Sequence, residues 1–157
     1  MNIDLIVVGK TDSREVDALV EMYSRRISHY VRFGVTYLPD IRNNKNLSES
    51  QQKTLEGDAI LRQIAEGDRL VLLDERGAEY RSTEFADRLQ RWMNSGVRRV
   101  VFVIGGPYGF SDAVYARANE SVSLSKMTFS HQIVRAIFAE QLYRAFTILR
   151  NEPYHHE

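Results

Sequence analysis

The sequence predicts an α/β domain, an open and mainly parallel five-stranded sheet with helices on both faces, and three observations carry that expectation. Strand-like and helix-like patterns alternate five times along the chain, the order that builds parallel sheets from crossover helices. Three strand-like runs, NIDLIVV (Asn2–Val8), RLVLLD (Arg69–Asp74) and RVVFVI (Arg99–Ile104), are largely apolar, as strands buried on both faces are. With 157 residues, 43% of them hydrophobic, the chain matches a single domain, 1–157, able to bury most of the surface it exposes when unfolded.

Taken in order, the first strand is closed by Gly9, and Asp12 with Glu15 has the spacing of a capping box for a helix running to about Ser28. Val31–Leu38 alternates as a second strand that Pro39 ends. The polar segment Asp40–Leu47 is expected to be a mobile loop. Ser48 with Gln51 repeats the capping-box spacing and opens a helix that Gly67 is expected to stop. After the third strand, Gly77 is expected to turn the chain; Ser82 or Thr83 then caps a helix carrying Phe85, Leu89 and Trp92, ended by Gly96. The fourth strand leads into Gly105, Gly106, Pro107 and Gly109, a short helix from Ser111 to about Asn119, and a fifth strand at Ser121–Leu124. A final helix spans about Ser130–Leu149, its apolar residues recurring at helical spacing.

Charge excludes some functions. Lysine and arginine number 21 against 21 acidic residues, so no excess positive field marks a free nucleic-acid binder, and no DNA partner is expected. Without cysteine there is neither a disulfide framework nor a thiolate metal site, and no metal is expected. The opening MNIDLIVVGK is too short in apolar residues for a secretory core, and no window approaches a membrane span, so a cytoplasmic location is expected.

In open α/β sheets, ligands bind beyond the carboxyl ends of the strands, which points to Asp74–Gly77, Gly105–Phe110 and Leu124–Phe129. Paired glycines after a buried strand admit a ligand close to the backbone, although a tight turn alone explains them equally. The first strand lacks the glycine fingerprint of dinucleotide binders, and no Gly-Lys-Ser/Thr phosphate loop is present. In SLSKMTFSHQ (Ser123–Gln132), hydroxyl and backbone groups can meet a heterocycle edge while Leu124, Met127 and Phe129 supply apolar walls. The plainer reading has Ser125 and Thr128 capping the last helix and Met127 filling core.

Several motifs together carry a resemblance. They are IDLIVVGK (Ile3–Lys10), Leu72–Asp74, FVIGGPYG (Phe102–Gly109), SLSKMTFSHQIVRAIFAEQLYRAF (Ser123–Phe146) and the closing NEPYHHE. Across nearly its full length the chain resembles the RlmH family, SPOUT-class methyltransferases of large-subunit ribosomal RNA that act on N3 of a pseudouridine in the helix 69 stem-loop of 23S rRNA. The resemblance implies S-adenosylmethionine as cofactor, a trefoil knot within about residues 100–157, a homodimer whose active sites draw on both subunits, and assembled ribosomes as substrate. Carried over residue by residue, the cofactor contacts become Leu73, Gly105, Leu124, Ser125, Lys126, Met127, Thr128 and Phe129. The alternative function is a non-catalytic ribosome-binding or assembly factor on the same fold.

Methylating an imide nitrogen needs a base for its proton and donors for the charge that spreads onto the flanking oxygens. His155, His156 and Asp74 are the candidate bases, and the resemblance favours His155, with Tyr154 to stack or position and Arg144 to stabilise charge or hold a phosphate. His131 reads as capping or structural. Arg25, Arg26, His29 and Arg32 form a candidate basic rim for RNA phosphates, although arginines at a helix end also suit its dipole. The dimer has a motive of its own: the last helix carries Ile133, Phe138, Leu142, Tyr143, Phe146 and Leu149, more apolar surface than one chain is expected to cover.

Overall fold

The structure, a computed structural model, describes residues 1–41 and 46–156. Residues 42–45 of the expected loop lie outside the described residues. Five parallel strands, β1 (Asn2–Val8), β2 (Arg32–Leu38), β3 (Arg69–Glu79), β4 (Arg99–Ile104) and β5 (Glu120–Ser123), form one sheet in the order β2-β1-β4-β3-β5. The helices between and after them are α1 (Arg14–Ile27), α2 (Glu49–Leu61), α3 (Ser82–Asn94), α4 (Asp112–Arg117) and α5 (Ile133–Leu149).

Strand periodicity divides the core in two. Ile3, Leu5 and Val7 of β1 and Val100, Phe102 and Ile104 of β4 meet Ile27 of α1, Phe85, Leu89 and Trp92 of α3, and Phe138, Leu142 and Phe146 of α5. The intervening Ile6, Val101 and Val103, with Leu70 and Leu72, face Ile60 of α2 and Val114 of α4. Both faces are therefore covered, as the apolar strands required.

Several boundaries differ from expectation, each for a local reason. Ser13, not Asp12, caps α1 by accepting the Val16 N–H, because the Asp12 N–H is held by Gln132. The Ser48–Gln51 capping box forms as expected. However, α2 ends at Leu61, ahead of Gly67: the Gln63 and Ile64 N–H groups bond three residues back, tightening the last turn. Arg81 precedes α3 as its cap residue, and the Ser82 hydroxyl donates to Gln141 instead of capping.

The largest correction concerns β3. It does not end at Asp74, and Gly77 does not turn the chain away. Leu73 and Ala78 both pair with Val122 of β5, so Asp74–Gly77 are looped out between two paired stretches. A Cβ on Gly77 would lie 2.6 Å from the backbone of Ser121 and Val122, so only glycine lets the strands approach there.

From edge strand β5 the chain returns across the carboxyl ends of the strands to the end of β1, where α5 starts. Spanning 17 residues, α5 is about 25 Å long, enough to carry its last turn to the opposite side of the sheet. There the Tyr30 hydroxyl donates to Glu152 at 2.7 Å.

Candidate active site

A cavity of about 520 Å³ opens at the carboxyl ends of β3, β4 and β5. Each strand delivers a turn to it: the looped-out Asp74–Gly77, the Gly105–Phe110 turn and the Leu124–His131 segment. The Gly105 turn is tight. A Cβ on Gly105 would stand 3.0 Å from the Phe110 ring, and one on Gly106 would stand 2.6 Å from the buried Glu56 carboxylate. Gly109 has φ +81°, the left-handed conformation that closes the turn through its N–H to the Gly106 carbonyl, 3.1 Å.

The third wall is open. Met127 is 78% exposed and Phe129 39%, so neither fills core, and the Ser130 hydroxyl, not Ser125 or Thr128, accepts the Ile133 N–H at the helix start. Ser125 instead shapes its own turn, its hydroxyl accepting the Met127 N–H at 3.0 Å and its carbonyl the Ser123 hydroxyl at 2.8 Å. Two large apolar side chains are thus exposed beside the cavity.

Of the expected cofactor contacts, Leu73, Gly105, Leu124, Ser125, Met127, Thr128 and Phe129 all line this cavity. Lys126 does not; it points toward Glu79, 4.0 Å away. Sequence reasoning picked out the Asp74–Gly77 turn without a role for Arg76, and missed Tyr115. Tyr115 donates its hydroxyl to Asp74 in a short hydrogen bond and receives one from Arg76 at 2.9 Å. Burial, then the Asp74 contact, pushes the Tyr115 phenol above its ordinary value. Asp74, one of the candidate bases, is thus occupied by a phenol and by the Arg76 N–H, 3.1 Å. His131 is not a cap residue: it lies on the cavity wall. The clue to Tyr115 lay in α4, one turn beyond the Ser111 cap and facing the strand ends.

The remaining catalytic candidates gather elsewhere. Arg144 donates to Glu140 at 2.5 Å and meets His155 Nδ1 at 3.2 Å, while its guanidinium lies 4.8 Å over the Tyr154 ring. The Tyr154 hydroxyl donates to Glu140 at 3.0 Å, and burial, with Tyr23 and Glu140 beside it, raises its pKa. Because a guanidinium only donates, the His155 Nδ1 accepts and a neutral ring carries its proton on Nε2. None of Arg144, Tyr154 and His155 lines the cavity of its own chain.

Of the basic rim, Arg26 lies over Tyr23 and Tyr143, at 5.4 and 5.5 Å, beside this tail cluster. Arg25 pairs with Glu21 at 3.0 Å, and Arg32 sits at the start of β2 near Asn2 and Asp4. All three are at the amino ends of the strands, away from the cavity. Phe138, Leu142 and Phe146 are buried in the chain's own core and Tyr143 packs on Tyr23, Tyr30 and Tyr154, so little of α5 is left uncovered beyond Ile133, 37% exposed.

Comparison with known proteins identifies the family. Residues 1–155 match the family described as "Predicted SPOUT methyltransferase". Proteins named Ribosomal RNA large subunit methyltransferase H are similar throughout: that of Flavobacterium johnsoniae is 57% identical over 157 residues, 100% of both chains. Those of Christiangramia forsetii and Porphyromonas gingivalis are 55% identical over 156 residues, 99% of each chain, and 57% over 157, 100% of each. Matched almost end to end by that family and by relatives sharing more than half of its residues, the chain belongs to the SPOUT methyltransferases, in the group of these methyltransferase H proteins.

Proposed function

We propose that this protein transfers a methyl group from S-adenosylmethionine to N3 of a pseudouridine in the helix 69 stem-loop of 23S rRNA, in the cytoplasm, on assembled ribosomes and as a homodimer. The observation that carries the reading is the cavity: three strand-end turns converge on a volume of about 520 Å³, within the range of small-molecule sites, with apolar walls and turn backbone at its edge. The residues fit an adenosyl group. The Gly105–Phe110 turn brings backbone to the cavity edge, and Leu73, Leu124, Met127 and Phe129 offer apolar side chains. When bound, S-adenosylmethionine supplies a sulfonium methyl as the electrophile.

What the chain's own residues do is align, desolvate and move a proton. The tail cluster of one subunit completes the cavity of the other, which accounts for three catalytic candidates that gather outside their own cavity. In the arrangement described, His155 Nδ1 is occupied by Arg144 and cannot take a proton. If Arg144 swings to the substrate's carbonyl oxygen, it meets the charge developing there and frees Nδ1 to accept the N3 proton. One movement readies both groups. A trefoil knot within about residues 100–157 belongs to the same reading, supported by the return of the final segment from edge strand β5 to the end of β1.

Incubating the protein with S-adenosylmethionine labelled in its methyl group, and with either intact ribosomes or protein-free rRNA, tests the proposal. Label is expected in the large-subunit RNA of intact particles, with reverse transcription stopping beside one helix 69 pseudouridine, because a methyl on N3 blocks the pairing edge. Cofactor binding without label transfer would favour the assembly-factor reading.

A further inference from the structure

The first turn of α5 holds a feature that the proposed chemistry does not use. Arg135 is 1% exposed, the largest side chain buried to that degree among the described residues. Its guanidinium donates to the carbonyls of Val8 (2.8 Å) and Gly9 (2.9 Å) and to the Thr11 hydroxyl (3.0 Å), and its Nε to the His131 carbonyl (3.0 Å). Three residues earlier, on the same helix face, the Gln132 amide accepts the Asp12 N–H at 2.8 Å and donates to the Lys10 carbonyl at 3.1 Å. The two side chains thus grip five consecutive residues, Val8 to Asp12, from 120 to 127 positions away.

This placement is costly by default. A cation near a helix amino terminus opposes the dipole, and the first turn of α5 contains no acidic residue to offset it. Burying a guanidinium is tolerable only when its donors are satisfied, as they are here by the carbonyls of Val8 and Gly9 at the end of β1, the Thr11 hydroxyl and the His131 carbonyl. Gly9 cooperates: at φ +79° it adopts the left-handed conformation, and its carbonyl accepts from Arg135.

The Leu124–Ser130 segment ends where this grip begins. Its own hydrogen bonds are local, Ser123 to Ser125, Ser125 to Met127 and Ser130 to Ile133, and Lys126 to Ser130 are exposed. Apart from the exposed Lys126–Glu79 pair at 4.0 Å, its position over the cavity is set by its two ends, β5 on one side and the Gln132–Arg135 grip on the other. His131 joins the two roles, with its carbonyl on Arg135 and its side chain on the cavity wall.

We infer that Gln132 and Arg135 are positioning residues: a clasp between the β1–α1 turn and α5 that holds the Leu124–Ser130 wall in its ligand-ready place. The inference rests on the proposed use of this cavity for S-adenosylmethionine, and its test separates the two. Gln132→Ala, at a half-buried position, removes two bonds whose backbone partners can turn to water, and Arg135→Lys keeps the charge without the planar fork. Amide hydrogen exchange of the ligand-free protein is expected to quicken at Met127, Ile133 and Val134 in both variants, with the central β4 amides unchanged. The Kd for S-adenosylmethionine by calorimetry rises about tenfold, the equivalent of one or two hydrogen bonds, and in methyl transfer the cofactor KM rises more than kcat falls. Unchanged exchange in the segment, or acceleration spread evenly over the sheet, would overturn the clasp by reducing it to an ordinary fold contact. Should the unaltered protein itself fail to bind S-adenosylmethionine, the reading of the cavity falls, and the exchange pattern still decides the clasp.

Discussion

Tyr30 sits where the last turn of α5 meets the end of α1, its ring stacked on Phe146 at 5.4 Å and its hydroxyl donating to Glu152. Burial first, and the Glu152 contact second, push its phenol from 10.0 up to about 12. The folded chain thus holds this proton more tightly than an unfolded one does. The stabilisation it contributes is whole below pH 10.0 and is lost as pH rises through about 12. Glu152→Gln removes the carboxylate charge and keeps an amide oxygen. The phenol midpoint, followed by ultraviolet absorbance against the unaltered protein, is expected to move part of the way back toward 10.0, since burial remains. Superimposable titration curves would show that Glu152 does not hold this ring. The consequence reaches beyond one tyrosine, because Glu152 lies just ahead of Tyr154 and His155, and the contact fixes where the tail turns back along α5.

Among the elements, β3 shows how backbone geometry governs the site. Its looped-out Asp74–Gly77 brings Asp74 and Arg76 to the cavity, and the strand resumes only because Gly77 passes close against β5. Gly77→Ala would place a methyl 2.6 Å from the backbone of Ser121 and Val122, where no side chain can yield. A stability loss of about 1–3 kcal/mol by urea unfolding is expected, with weakened cofactor binding, because β5 leads straight into the Leu124–Ser130 wall. Unaltered stability would mean that the two strands separate there at no cost. This excursion was not legible in the sequence. The polar run Asp74–Arg76 followed by glycine has the composition of a terminal turn, and only pairing with β5 distinguishes an interruption from an end. By contrast, the apolar runs of β1, β3 and β4 and the capping box of α2 were legible, because burial on both faces and a local cap each leave a pattern within a few residues. Tyr115 and the role of Arg76 escaped notice for the opposite reason: the hydrogen bond between the two side chains joins residues 39 positions apart. The turns at Gly105 and Leu124 were found through the strand-end rule, whereas the residue roles within them came from likeness to a family.

At the scale of the whole molecule, the decisive fact is a separation. The cavity lies at the carboxyl ends of the strands, while Arg144, Tyr154 and His155 gather along α5 beside Arg26, outside it. On the proposed reading, the cavity of one chain stands apart from the Arg144, Tyr154 and His155 cluster, although Asp74 and His131 lie on its own wall, and the exposed Met127, Phe129 and Ile133 would offer a second copy an apolar footing beside it. Under the proposed homodimer, a two-fold pairing would complete both sites at once, since an isologous interface gives each cavity the other subunit's tail. Mixed dimers test this directly. Gly105→Leu forces a branched side chain against the Phe110 ring on the cavity wall, 3.0 Å from where its Cβ must stand, and is expected to disrupt the cavity; Arg144→Ala removes the tail's cation. Each variant alone is expected to lose methyl transfer. Refolded together in equal amounts, half of the dimers carry one of each chain, and each of these holds one site built from an open cavity and an intact tail. About a quarter of the original activity is then expected, the share of whole sites in a random two-fold mixture. If mass spectrometry finds the mixed dimers but activity stays absent, each chain must serve its own cavity, and the tail would have to travel to reach it.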